Sequence, residues 1–268
     1  MSTAATSIRS DNAVIAVQVR TSNDTLTGGQ IRRKGVFNIG TADNKPLLYL
    51  FPQEPYTSHF NVRVEGTVYS NDTFRTGVQN LPLLLEPVLL PDSTITCTYQ
   101  VGFVTIEQRL RPQQFSSTTG AIFIQYIITN NDAVPHQVGL LLELDTTING
   151  NDTAPISTSF GYSRREQQFN APFIPDYFQA FEKNDLVSPG LVAQGTLIGR
   201  DAVRPDVVIV GDWSNLSRVP WDYVLPNQFY NDSAVILRWN EIFVAPRARR
   251  VAATYYGIGD VTTTSGQL

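Results

Sequence analysis

The stretch IFIQYIITNNDAVPHQVGLLLELDTTINGND, residues 122–152, constrains the fold more than any other part of the chain. Ile122, Ile124, Tyr126 and Ile128 alternate with Phe123, Gln125, Ile127 and Thr129, which is the two-residue period of a β-strand. Asn130, Asn131, Asp132 and Pro135 follow with turn chemistry, because Asn and Asp bond their own backbone and Pro fixes φ. From Val138 to Leu144 the chain is almost wholly apolar, with Glu143 as its only polar residue. A run of that kind fits a strand covered on both faces. It needs a sheet partner along each edge and a packed layer above and below.

The rest of the chain can supply them. Residues 13–19, 35–39, 47–51, 60–69, 95–103, 104–110, 207–210, 233–239 and 249–256 read as further strands, separated by polar turns. Residues 81–90 carry Pro82 and Pro87, which confines them to an edge strand or a packed loop. Pro175-Asp176-Tyr177-Phe178 has proline at a first helical position and an acid in the first turn, so a short helix is expected over 176–182. The expected fold is all-β: two large antiparallel sheets packed face to face as one supersandwich-like domain, residues 12–268, after a polar arm at 1–11. The alternative is two tandem sandwiches split near 112–120, where Pro112, Ser116, Ser117 and Gly120 could form a linker.

Composition excludes several function classes. A formal net charge of −4, with only short and interrupted basic clusters, offers no field for nucleic-acid phosphates. No apolar run approaches the ~20 residues of a membrane span. Cys97 stands alone, so no intrachain disulfide forms. The first residues lack the apolar core of a secretory signal, so the protein is expected to be cytoplasmic as written, or extracellular or at the cell surface if a leader has been removed. Oligomeric state is left open. Asn-Asp-Thr or Asn-Asp-Ser recurs at 23–25, 71–73, 151–153 and 231–233, and these triplets read as turns.

Two segments carry candidate site residues. Asp145, Asn149, Asn151 and Asp152 place four side-chain oxygens within eight residues, and Gly150 permits a tight turn. Asp145-x-Thr147-x-Asn149-Gly150 has the opening spacing of a calcium loop, although the twelfth position is Ile156 rather than glutamate. The loop therefore reads first as a turn whose side chains bond their own backbone and second as a structural calcium site; no other cofactor is expected. Trp213, Trp221 and Tyr223 read either as a stacking platform for a sugar ring or as filling beneath a long loop. No P-loop, Gly-x-Gly-x-x-Gly, Gly-x-Ser-x-Gly or His-Glu-x-x-His motif is present.

A strand ending in Thr129-Asn130, a short loop closing at Pro135 and an apolar strand ending in Asp145 together resemble the central hairpin of galactose-mutarotase-like supersandwich domains. The segments 145–152, 174–177, 232–235 with Trp239, and 254–259 more narrowly resemble an uncharacterised group of bacterial β-sandwich proteins, over roughly residues 94–259. The mutarotase resemblance implies acid/base catalysis by a histidine and a carboxylate. That family places a histidine toward the far end of the strand after the turn, and here Val138–Leu144 has none. The chain's two histidines are His59 and His136, the latter directly after Pro135 and expected to be a solvated turn residue. Three readings follow. The first is a non-catalytic binding or structural module with carbohydrate as the ligand that the resemblance implies. The second is an aldose or hexose epimerase with His59 and Glu143 as the acid/base pair. The third is a subunit of a bacterial surface assembly.

Overall fold

A computed structural model describes residues 6–25, 31–72 and 77–260. Two large sheets face each other, as the strand pattern predicts. The nine-stranded sheet runs in spatial order Gly161–Ser163, Ile156–Thr158, Tyr177–Phe181, Val192–Thr196, Arg249–Ile258, Gly120–Asn130, Val104–Gln114, Ile95–Val101 and Leu83–Leu89. The seven-stranded sheet runs Gln167–Asn170, Val207–Asp212, Ser233–Val244, His136–Asp145, His59–Val64, Thr67–Ser70 and Gln79–Asn80. All pairings are antiparallel except the last, between Thr67–Ser70 and Gln79–Asn80. A three-stranded sheet of Ser7–Asp11, Ile15–Arg20 and Phe37–Thr41 packs against the nine-stranded one.

The alternating stretch at 122–128 does what its period requires. Ile122, Ile124, Tyr126 and Ile128 point inward and join Phe60, Val62, Leu140, Leu142, Leu144, Val235, Leu237 and Trp239 in one core. Val104–Gln114 and Gly120–Asn130 pair without slippage from Val104↔Asn130 to Gln114↔Gly120, so 115–119 is the turn of a hairpin inside one sheet. Asn130 closes the other end of its strand, donating from Nδ2 to the carbonyls of Val134 at 2.8 Å and Val244 at 2.9 Å. The apolar strand His136–Asp145 is buried at every position from Val138 onward. Its inner residues meet the core, and its outer ones, Leu141, Glu143 and Asp145, face the opposite way.

Four local expectations change. Residues 47–51, expected as a strand, form a turn joined to the strand end by the single bridge Leu48↔Thr146. Residues Tyr177–Phe181 form a strand rather than a helix, because Phe178 stacks on Tyr256 at 5.9 Å on one face while Gln179 bonds Gln194 at 2.8 Å on the other. Two-sided burial has overridden the proline-led helix signal. The helix among the described residues is the single turn Trp213–Leu216, capped by the Asp212 side chain, which accepts from Ser214 N. Ser7–Asp11 is no free arm: it pairs with Ile15–Arg20 from Ser7↔Arg20 to Asp11↔Ala16. Residues 1–5 of that expected arm lie outside the described residues. Leu83–Leu89, with Pro87 inside it, occupies the sheet edge that its prolines allow and leaves Leu85 61% exposed.

Core and edge should therefore respond differently to truncation. Leu142→Ala is expected to cost about 2–5 kcal/mol in urea unfolding, whereas Leu85→Ser should stay within about 0.5 kcal/mol of the parent. Equal losses would show that Leu142 does not sit in the shared core.

Candidate functional site

The outer face of the seven-stranded sheet carries buried His59, Asn61, Glu143 and Asp145. Antiparallel pairing sets Glu143 opposite His59 on one side and Ile236 on the other, and puts Asp145 opposite Ala234. His59 and Glu143 are both fully buried, with Nε2 and Oε2 at 3.7 Å. His59 Nδ1 lies 2.6 Å from the Thr57 carbonyl, which can only accept, so that nitrogen carries a proton. The two groups proposed for acid/base work thus converge on one face, but below the surface.

What seals them is the segment 213–225. Trp213 meets the His59 ring edge-on at 6.3 Å. Trp221 packs over the sheet with Leu141, Ile209, Leu216 and Ile236 and is 4% exposed. Gly139 is required there, since a Cβ would lie 2.8 Å from the Trp221 ring and 2.9 Å from the Glu241 backbone nitrogen. The segment is tied down at several points: Asn61 Nδ2 donates to the Pro220 carbonyl at 2.9 Å, Arg238 Nη1 to the Trp221 carbonyl at 2.9 Å, and Tyr223 OH to Glu166 Oε1 at 3.1 Å. Burial and the neighbouring Glu166 carboxylate push the Tyr223 phenol upward. Trp221, with Trp213 and Tyr223 partly buried beside it, therefore packs in a layer against the sheet.

At the end of this face the Asp145 loop divides. Asn149 and Gly150 both take positive φ, at 49° and 89°, and turn the chain outward. Asn149 Nδ2 donates to Glu182 Oε1 at 3.0 Å and Asn151 Nδ2 to the Glu182 carbonyl at 2.8 Å. Neither amide joins Asp145. Asp152 does, and a third carboxylate comes from Asp232, which sequence reasoning did not single out. One oxygen from each of Asp145, Asp152 and Asp232 lies within 4.8 Å of the others. Ser233 N donates to the Asp152 carbonyl at 2.8 Å, which clamps the 151–153 and 231–233 triplets side by side. The recurrence of those triplets was the available signal.

The electrostatics of the group are one-signed. Asp145 is 2% exposed, and burial, then Asp232, Asp152 and Glu143, hold its carboxyl well above the usual range against the lowering effect of Thr57. Burial, then Asp152 and Asp212, push Asp232 up to about 7. His136 behaves differently. It sits at a strand start and bridges Asp132 at 3.0 Å and Glu65 at 3.1 Å, and the Asp132 hydrogen bond leads in raising its pKa.

A second, open site lies on the outer face of the nine-stranded sheet. Thr94, Arg109, Arg111, Phe123 and Gln125 line a basin of about 300 Å³. Phe123 is braced from the side by its cross-strand partner Tyr255, with ring centroids 4.7 Å apart.

Comparison with known proteins adds the class of fold. No family model and no curated protein sequence matches the chain. Among solved structures, a galactose mutarotase-like protein from Lactobacillus casei ATCC 334 superposes with a TM-score of 0.51 at 9% identity, over 94% of this chain and 100% of that one. A galactose mutarotase related enzyme from Lactobacillus acidophilus gives a TM-score of 0.49 at 9% identity, over 96% and 98% of the two chains. A polysaccharide lyase gives 0.43 at 11% identity, over 90% of this chain and 32% of that one. The chain has the β-sandwich fold of galactose mutarotase-like proteins, and at this identity the likeness speaks for fold alone.

Two measurements test this geometry. Gly139→Ala should cost about 1–3 kcal/mol and shift tryptophan emission to the red as Trp221 is lifted, and an unchanged spectrum would deny the close approach. The His136 cluster stabilises the fold below the unfolded histidine value near ~6.5, and its contribution is lost as pH rises through the higher folded value. His136→Gln should flatten that part of the stability–pH curve, and an identical slope in the variant would place the titration elsewhere.

Proposed function

We propose that this protein is a non-catalytic binding module of the mutarotase-like β-sandwich class, with carbohydrate as its ligand. The observation that carries the first half is the complete burial of His59 and Glu143 beneath 213–225. Acid/base catalysis on a sugar needs both groups within hydrogen-bond reach of the ring oxygen and the anomeric hydroxyl. A pair with no exposed side-chain surface, with Trp213 edge-on against His59, lacks such access, so it serves here as a buried polar contact between two strands. This burial supports the non-catalytic reading over the epimerase one.

Carbohydrate as the ligand class is supported by fold analogy and by the open basin. Arg109 and Arg111 offer planar, multi-pronged donors, Gln125 offers an amide, and Phe123 contributes apolar area. That set suits a sugar bearing a carboxylate better than a neutral one, because each guanidinium can engage a carboxylate through two parallel bonds. A glycan array containing neutral and uronate oligosaccharides, run beside polarimetric mutarotation of galactose and glucose, tests both halves. The expected result is retention of uronate-containing glycans, at least ~10-fold weaker in Arg111→Ala, with no mutarotation above background. Mutarotation that Glu143→Gln abolishes would restore the enzyme reading, and an array without binders would remove carbohydrate as the ligand.

A further inference from the structure

We propose that Asp145, Asp152 and Asp232 form a binding site for a single divalent cation, with calcium the ion that the shell fits. Two independent observations carry this. The first is the geometry: one carboxylate oxygen from each residue lies within 4.8 Å of the other two. Oxygens bound to one calcium at 2.3–2.6 Å can be no more than about 5 Å apart, so the three fit around one ion. The second is that Asp145 Oδ1 is buried and accepts no hydrogen bond. The Thr57 hydroxyl acts on this carboxyl but makes no hydrogen bond of ordinary geometry to it, so a buried carboxylate oxygen is left under-satisfied, and a cation held by the group would supply the missing partner.

The surroundings agree. The charged groups that act on Asp145 and Asp232 are themselves carboxylates, namely Asp152, Glu143 and Asp212. Asp212 is otherwise engaged, accepting from Ser214 N at 3.1 Å and Asn231 N at 3.0 Å. Asp152 accepts from the Thr147 hydroxyl, which leaves its other oxygen for an ion. Asp152 and Asp232 are only partly buried, so the site opens to solvent on one side while Asp145 forms its floor. Carboxylate ligands of hard oxygen suit calcium or magnesium over softer metals, and an irregular shell drawn from one loop and a distant strand start suits calcium over octahedral magnesium.

The ligand set differs from a calcium loop built within one segment. Asp145 ends a strand, Asp152 closes the following turn, and Asp232 begins the strand Ser233–Val244 that pairs with the first. A cation there would bind the sheet end to the turn and couple its occupancy to pairing between those strands.

The test is a set of melting curves on the full chain after EDTA treatment and dialysis, with CaCl2, MgCl2 or neither added. Calcium at one hundred times its Kd should raise the melting temperature by roughly 5–10 °C, and magnesium should raise it less. Asp232→Asn has a signature that a plain turn would not give. It should melt higher than the parent in EDTA, because one of three mutually repelling carboxylates is gone, and it should no longer respond to calcium. Asp185→Asn, in an exposed turn, should keep the full response. Should Asp232→Asn fail to fold, calorimetric titration of the parent with CaCl2 must still show one site per chain. A parent melt indifferent to calcium, or an Asp232→Asn protein that is less stable in EDTA yet still responds, would overturn the proposal.

Discussion

Two-sided burial of the strand His136–Asp145 is the constraint on which the rest depends. Its inner residues, Leu140, Leu142 and Leu144, need the nine-stranded sheet opposite them. Its outer residue Leu141 shares a second apolar face with Ala234, Ile236, Val207 and Ile209, and that face needs a cover. The segment 213–225 supplies it, with Trp221 as its largest contribution. Once that cover is in place, His59 and Glu143 lie beneath it. Burying polar groups is costly unless they are hydrogen-bonded, so such a pair persists only where the two groups face each other and bond their surroundings. The Thr57 carbonyl provides part of that.

Much of the fold could be read from residue order. Alternation at 122–128, the Asn-to-Pro turn and the apolar run at 138–144 each correspond to what the structure contains, because they are local patterns with one satisfactory outcome. The reading at 176–182 went wrong for a reason that lies outside the segment. Tyr177, Phe178 and Phe181 fit one helical face as well as they fit a strand, and Gln194 on the next strand and Tyr256, far along the chain, decide between the two. Pairing of Ser7–Asp11 with Ile15–Arg20 was hidden in the same way, since Ser-Ile-Arg-Ser-Asp carries little apolar pattern and gains its place from the neighbour.

The site was legible in halves. Asp145 and Asp152 were visible because they share one loop. Asp232 was not, because its approach depends on the pairing of two strands and on the Ser233–Asp152 backbone bond. Asn149 and Asn151 were visible as oxygen-bearing side chains, but their direction was not, since it follows from left-handed backbone at Asn149 and Gly150 and from Glu182 as a partner. The aromatic trio showed the same limit. A sequence can say that Trp213, Trp221 and Tyr223 are close, and only the fold decides whether their faces meet solvent or a sheet.

The position of the strand Arg249–Ile258 has a consequence for how the chain reaches this state. It lies between Val192–Thr196 and Gly120–Asn130 in the middle of the nine-stranded sheet, although no described strand follows it in sequence. Until it docks, the sheet consists of two separate pieces, each with an open edge. Loop closure over such separations is slow, and unpaired edges are where partly folded chains associate. During synthesis the two pieces must wait for this strand, and a holding chaperone that masks the edge of Gly120–Asn130 would protect the chain over that interval.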